Sequence, residues 1–410
     1  YNMGGWNGAI CVASRTMLNT GLFIWDAQKS EQSLKSDWVP KNKFWAQQLA
    51  AQGYDTYFTG KWHVKADANK VFATARHIRG GMPRQTPEGY NRPKADGSDP
   101  WDPSDPKFGG FWEGGTHWSE VVGNDALDYL DAAAKDDDPF FMYLAFNAPH
   151  DPRQAPKEFV DRYPLDKVAV PETFMPEYPW NEPMQSGRRL RDEKLAPFPR
   201  TEHSVKVNRQ EYYAIITHMD EQIGRILDGL EKTGKADNTI IVFTADHGLA
   251  CGHHGLLGKQ NQFDHSIRVP FMISGPGIAA GKTNNTPIYY QDIMPTTLEA
   301  AGAPLPEYVA FKSLNPLLKG EKTAHHFPIY GSYVTGQRSI TRGKDKLILY
   351  PKAKKALLFN LDKDPSEMHD LLPAGIKTAR SLFADLLTLQ HNTNDTLDLK
   401  TPFADLATED

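Results

Sequence analysis

Two largely apolar runs, Pro139 to Phe146 and Asn238 to Thr244, constrain the fold of this chain more than any other feature. Each follows a segment with helical spacing: Val121 to Ala134 is amphipathic, and Arg209 to Lys232 reads as one long helix. A strand that is apolar on both sides needs cover on both faces, which points to a parallel sheet between helices. Trp45 to Gln52 and Tyr54 to Phe58 repeat the pattern on a smaller scale, a short helix and then a strand ending at Gly60. The spacing predicts an α/β fold with a large, mostly parallel sheet flanked by helices. In such sheets ligands bind beyond the carboxyl ends of the strands. The polar segments Gly60 to His63, Asn147 to Asp151 and Ala245 to Gly248 all follow strands directly.

Residues 65 to 118 and 151 to 205 read as long loops, of a length that usually marks functional insertions or lids. After Gly302-Ala303-Pro304 the character changes, with short strand candidates at Phe327 to Tyr330 and Lys346 to Tyr350 and a helix from about Ile376 to Gln390. The expected division is an α/β domain over 1–305 and a smaller α+β subdomain over 306–410, an antiparallel sheet with a C-terminal helix. A net charge of −5 without a long basic run lacks the footprint of a nucleic-acid binder. An anionic substrate would have to be caught by local cations. Cys11 and Cys251 are the only cysteines, so no disulfide framework is implied. No apolar stretch approaches the roughly 20 residues of a membrane span.

The segment Cys11-Val12-Ala13-Ser14-Arg15 carries the strongest chemical signal. Ser14 is expected to cap a helix whose free N–H groups and dipole favour an anion. A cysteine at such a helix start has a lowered pKa, and the Arg15 guanidinium suits sulfate or phosphate. A lone cysteine there is ordinarily structural. With Leu18, Thr20 and Gly21 following, however, the segment resembles the signature of type I, formylglycine-dependent sulfatases of the alkaline phosphatase superfamily. Ala13 stands where that signature more often has Pro, and Leu22 where its longer form has Arg. Gly60-Lys61-Trp62-His63 is similar to the family's second signature. Ala148-Pro149-His150, Thr244 to Gly248, Gly255 to Lys259 with Arg268-Val269-Pro270, Asp292 to Thr296, Leu358 to Leu361 and Asp364 to Glu367 follow in family order. The wording of Pro149 to Gln154, and of Asn2-Met3-Gly4 through Ser14, looks more like bacterial polysaccharide and choline-type sulfatases than animal arylsulfatases.

The resemblance implies a sulfate-ester hydrolase acting on a sulfated carbohydrate. Cys11 would be oxidised to formylglycine by a formylglycine-generating or anaerobic maturation enzyme, and the hydrated aldehyde would attack sulfur. Calcium would lower that hydroxyl's pKa and polarise the S–O bond. Asp246 suits calcium as an oxygen ligand, while His247 is either a second ligand or a donor to the sulfate. Lys61, Lys259 and Arg15 would hold sulfate oxygens, His150 would protonate the departing alcohol, and His63 would deprotonate the hydrate to expel sulfate. Arg153, Gln154, His117, Arg188, Arg191 and Arg338 are candidates for contacts to the sugar. A start at Tyr1-Asn2-Met3-Gly4 suggests a longer parent chain, and the family's first strand, which ends in two calcium-binding aspartates, is expected ahead of Tyr1. The family implies a periplasmic or extracellular location. A formylglycine-dependent phosphonate monoester or phosphodiester hydrolase is the alternative within the superfamily, and an inactive glycan-binding relative the alternative outside enzymology.

Overall fold

The computed structural model describes residues 4–5, 10–84, 86–326 and 328–408. Its strands are β1 (Gly4–Gly5), β2 (Asp55–Lys61), β3 (Thr74–Arg79), β4 (Trp112–Glu113), β5 (Thr116–His117), β6 (Phe140–Ala145), β7 (Ile241–Thr244), β8 (Phe271–Ser274), β9 (Ile329–Tyr333), β10 (Gln337–Arg342), β11 (Asp345–Tyr350) and β12 (Lys355–Asn360). The α/β expectation holds. β3, β2 and β6 form a parallel sheet in that order, with Asp55 opposite Phe140 and Gly60 opposite Ala145. β7 pairs antiparallel with β8, a strand that periodicity did not mark. The second sheet runs β1-β9-β10-β11-β12 and is antiparallel except for β1, which joins β9 in parallel. The C-terminal sheet therefore draws its edge from the N-terminus. Asn2 and Met3, and Phe327 of the expected strand before Tyr330, lie outside the described residues.

The helices form where the sequence has helical periodicity, with boundaries set by caps. Trp118–Ala133 opens on His117, whose Nδ1 accepts the Ser119 N–H at 3.1 Å. The long helix begins at Glu202, ahead of the expected Arg209, because Thr201 and Ser204 make a reciprocal capping box. The Cys11–Thr20 helix begins at the cysteine itself and ends at Gly21 with φ of 72°. Ser14 thus lies inside the first turn and is not the cap expected of it; its hydroxyl donates instead to Asp246 O at 2.7 Å. None of the described helices is long and apolar enough to cross a membrane.

Packing positions the strand ends. Phe58, Trp62, Phe72 and Tyr143 pack against one another beneath the end of β2. Trp62 also donates from Nε1 to Ala66 O at 2.7 Å, so the chain leaving Lys61 is held on both sides. The pairing of β2 with β3 slips between Thr59 and Gly60, and Gly60 has φ of 95°. A Cβ on Gly60 would sit 2.1 Å from Ala145 O. Gly60→Ala should therefore cost about 3 kcal/mol through strain and backbone displacement, measured as a lowered urea midpoint with an unchanged slope.

The long loops are pinned by buried charge. Arg92 donates to Asp99 and, at 2.6 Å, to Glu211 of the long helix, while Arg200 pairs with Glu193 at 2.7 Å. Removing one partner of such a pair leaves a buried charge uncompensated. Glu193 also accepts the Leu257 and Gly258 N–H groups, which ties the 191–200 stretch to the segment that carries Lys259.

Candidate active site

Cys11, the first residue of its helix, is 3% exposed. Lys61, the last residue of β2, places Nζ 2.9 Å from its Sγ, and His247 places Nε2 at 3.2 Å. Burial alone would raise the thiol's pKa; Lys61, His247 and Lys259, with a hydrogen bond from His150, instead bring it well below the usual thiol range. The pocket thus stabilises negative charge at residue 11.

Asp246 follows β7 and stands behind the cysteine. Its Oδ2 accepts Arg15 Nε at 2.8 Å and lies 3.7 Å from Lys61 Nζ. Burial opposes ionisation, but Arg15 and Lys61 hold this carboxyl far below the usual carboxylate range. His247 donates from Nδ1 to Gly248 O at 2.9 Å, which fixes the ring with Nε2 toward Cys11. Nε2 is also 3.6 Å from Asp246 Oδ1. Cys11, Asp246 and His247 offer atoms within 4.8 Å of one another, a grouping that could hold a metal ion. The Arg15 guanidinium is anchored through Nε to Asp246 and through Nη1 to Lys61 O at 2.6 Å and to Tyr143 Oη at 3.3 Å.

The other wall carries a proton-transfer group. His150 Nε2 lies 3.0 Å from Lys259 Nζ, and His150 Nδ1 lies 2.9 Å from Asp151 Oδ1. Burial and the Lys259 cation push the His150 pKa down, but Asp151 outweighs them and the net shift is upward. Burial works against the Lys259 ammonium as well, yet Asp192, 3.0 Å from Nζ, takes its pKa up to about 12. Arg191 bridges the two acids, donating to both Asp151 and Asp192. His63 has φ of 52°, and its buried Nδ1 has no hydrogen-bond partner among the described residues. Gly81 closes over it so tightly that an added Cβ would lie 2.5 Å from Cε1.

The candidate sugar contacts fare differently. Gln154 and His117 are fully buried: the Gln154 side chain accepts the Phe111 N–H at 2.8 Å, and His117 Nε2 donates to Gln154 O. Burial depresses the His117 pKa to about 3, so it stays neutral. Arg153, 3% exposed, donates to Asn208 of the long helix and lies over the Tyr212 ring. Arg338 is 2% exposed and pairs with Asp395 at 2.7 Å. These four are buried, and each is bonded to a partner distant in sequence. Arg188 is exposed and bonded to Glu177, whereas Arg191 is partly exposed beside His150 and Lys259. Asp151 and Asp192 were not singled out from the sequence. Asp151 could have been, as the acid directly following His150; nothing local marks Asp192.

A family model described as "Sulfatase" matches residues 7–303, and one described as "N-sulphoglucosamine sulphohydrolase, C-terminal" matches residues 252–391. An arylsulfatase of Clostridium perfringens is 29% identical over 404 residues, covering 88% of this chain and 80% of that protein. An ulvan-active sulfatase of Formosa agariphila is 27% identical over 372 residues, covering 87% and 65%. Among solved structures, a protein in complex with its substrate D-glucosamine-2-N,6-O-disulfate superposes with a TM-score of 0.71 at 20% identity, over 96% of this chain and 90% of that one. A phosphonate monoester hydrolase from Silicibacter pomeroyi superposes at 0.73 and 20% identity, over 95% and 88%. At such identities the structures speak for a shared fold, and the family matches speak for the lineage.

Proposed function

The chain belongs to the sulfatase family and is a sulfuric ester hydrolase; we propose that its substrate is a sulfated carbohydrate, cleaved at residue 11 by a formylglycine formed from Cys11 with help from calcium. The observation that carries this reading is the convergence of Lys61 Nζ and His247 Nε2 on Cys11 Sγ, at 2.9 and 3.2 Å, with Asp246 behind them. A site that lowers a buried thiol's pKa also favours a sulfate group and an attacking oxygen in the same place.

The donors present fit a divalent cation. Asp246 Oδ1, an oxygen ligand of the kind calcium takes, is turned toward His247 Nε2 at 3.6 Å. When bound, formylglycine supplies an aldehyde hydrate as nucleophile and calcium supplies charge that polarises the ester. The remaining work falls to this chain's own side chains. Lys61 and Lys259 bracket residue 11 and neutralise sulfate oxygens. Arg15 locks the Asp246 carboxylate, and Asp151 sets the ring of His150 so that Nε2 carries a proton for the alcohol oxygen. His63, two residues beyond Lys61, takes the role of accepting the hydrate's proton in this reading. Arg191, open at one side of the Asp151–Asp192 pair, and Arg188 are the cations left to meet a sugar sulfate. Maturation requires a formylglycine-generating or anaerobic maturation enzyme as partner, and the proposed location is periplasmic or extracellular.

The same cations would serve a phosphoryl centre, and the shared fold with a phosphonate monoester hydrolase supports that as a second reading. A panel of sulfated mono- and oligosaccharides, read by sulfate release, tests both against phenyl phosphonate and a phosphodiester. We expect sulfate release from at least one sugar sulfate at a kcat/KM at least about tenfold above either phosphorus substrate. The opposite ranking would replace the first reading by the second.

A further inference from the structure

A second group of metal-ligand chemistry lies away from this pocket, where the Ile293–Ala300 helix begins. Asp292, preceding that helix, is fully buried. The segment leading into β9 brings two adjacent histidines against its carboxylate. His326 Nε2 is 2.9 Å from Oδ1, and His325 Nε2 is 3.2 Å from Oδ2. The two imidazole side chains are 10% and 5% exposed, and the three ligand atoms lie within 4.8 Å of one another.

The carboxylate is held before any ion arrives. The backbone N–H of Tyr289 donates to Oδ2 at 2.9 Å, and that of Lys312 donates to Oδ1 at 3.0 Å. Lys312 Nζ reaches His325 O at 3.3 Å, so the loop carrying the histidines is tied to the same place. His325 is the telling residue. Its Nε2 is buried 3.2 Å from Oδ2 but is not aligned for a well-formed hydrogen bond to it. A plain imidazole–carboxylate pair would be aligned as His326 is. A tetrahedral ion with bonds near 2.0–2.1 Å sets its ligands about 3.3 Å apart. The 3.2 Å from His325 Nε2 to Oδ2 is close to such an edge, and the 2.9 Å from His326 Nε2 to Oδ1 is a hydrogen-bond contact that would lengthen slightly around an ion.

We propose that Asp292, His325 and His326 bind one divalent transition-metal ion, of which zinc is the type, as a clamp between the segment leading into β9 and the start of the Ile293–Ala300 helix. Two imidazoles and one carboxylate suit zinc, not calcium, which takes oxygen ligands. A water would complete the tetrahedron. Nothing in this assignment depends on the chemistry at residue 11.

Zinc could also bind a thiolate, so the test uses the whole chain carrying Cys11→Ala and His247→Ala, stripped with chelator and titrated with cobalt(II) and then zinc. The expected result is one cobalt per chain with the intense visible bands of a tetrahedral, thiolate-free centre, displaced by one zinc. Zinc should raise the thermal midpoint by about 3 °C. His325→Gln or His326→Gln in the same background should weaken metal binding at least about tenfold and abolish the midpoint shift, leaving the metal-free midpoint in place. Equal stoichiometry and affinity in parent and variants would overturn the proposal, as would an absence of stoichiometric metal in the parent. Should either Gln variant fail to fold, the parent's cobalt spectrum decides: a stoichiometric tetrahedral centre supports the site, and weak octahedral binding removes it.

Discussion

Cys11→Ala is expected to lower kcat/KM on a sulfated sugar by at least about 10⁴-fold, because it removes the group that forms the nucleophile. The fold should be untouched. Cys11 Sγ touches Lys61 and His247 but has no structural bond to lose, and its helix is held at the other end by Gly21 and from within by Ser14, which donates to Asp246 O. Cys11→Ser separates two ideas that Cys11→Ala cannot. A serine keeps an oxygen near Lys61 Nζ, so a site that works by direct attack of an unmodified side chain would retain turnover. A site that needs the aldehyde hydrate would lose it unless a maturation enzyme also converts serine. Intact mass supplies the control: the active protein should be lighter by about 18 Da, the loss of sulfur and two hydrogens with gain of one oxygen. Full activity in a sample of unmodified mass would end the formylglycine proposal and leave the Lys61–His247–Asp246 arrangement to be explained as a thiolate site.

The parts of this site that can be read from sequence are those fixed by strand ends. Lys61, His150 and Asp246 each follow an apolar run; β2 and β6 are parallel neighbours and deliver Lys61 and His150 to one sheet edge, while Asp246 comes from the end of β7. Gly60 is legible too, since a glycine closing an apolar strand implies a close backbone approach, here to Ala145 O. What could not be read is the pairing of charges across long loops. Arg338 and Arg153 look like free cations in the sequence because Asp395 and Asn208, which bind them, are remote along the chain. Asp192 holds Lys259 from a 3-10 turn with no periodicity to announce it. Arg15 is recognisable as a site residue, but only the fold shows its Nε bonded to Asp246. The antiparallel partner of β7 was hidden for a different reason: β8 is four residues long and alternates half-buried with exposed positions, too short to give a period.

His150→Ala should reveal its role through the leaving group. A general acid contributes about 10²–10⁴-fold where the departing oxygen needs a proton. A sugar alkoxide needs one; a nitrophenolate does not. The variant is therefore expected to lose that factor in kcat on a sugar sulfate and much less on 4-nitrophenyl sulfate. Equal losses on both would show that His150 binds sulfate and does not donate a proton. The pH profile gives a second reading with a definite sign. Asp151 raises the His150 pKa, while burial and Lys259 oppose it. The protonated imidazole is the active form, so activity should persist above the ordinary histidine range and fall as pH rises through the elevated pKa. Asp151→Asn removes the opposing charge but keeps a side chain of the same shape beside Nδ1. It should move the alkaline limb to lower pH, with less effect on kcat at the acid end, where the imidazole is charged in both proteins. A limb that stays in place would assign the titration to another group of the site.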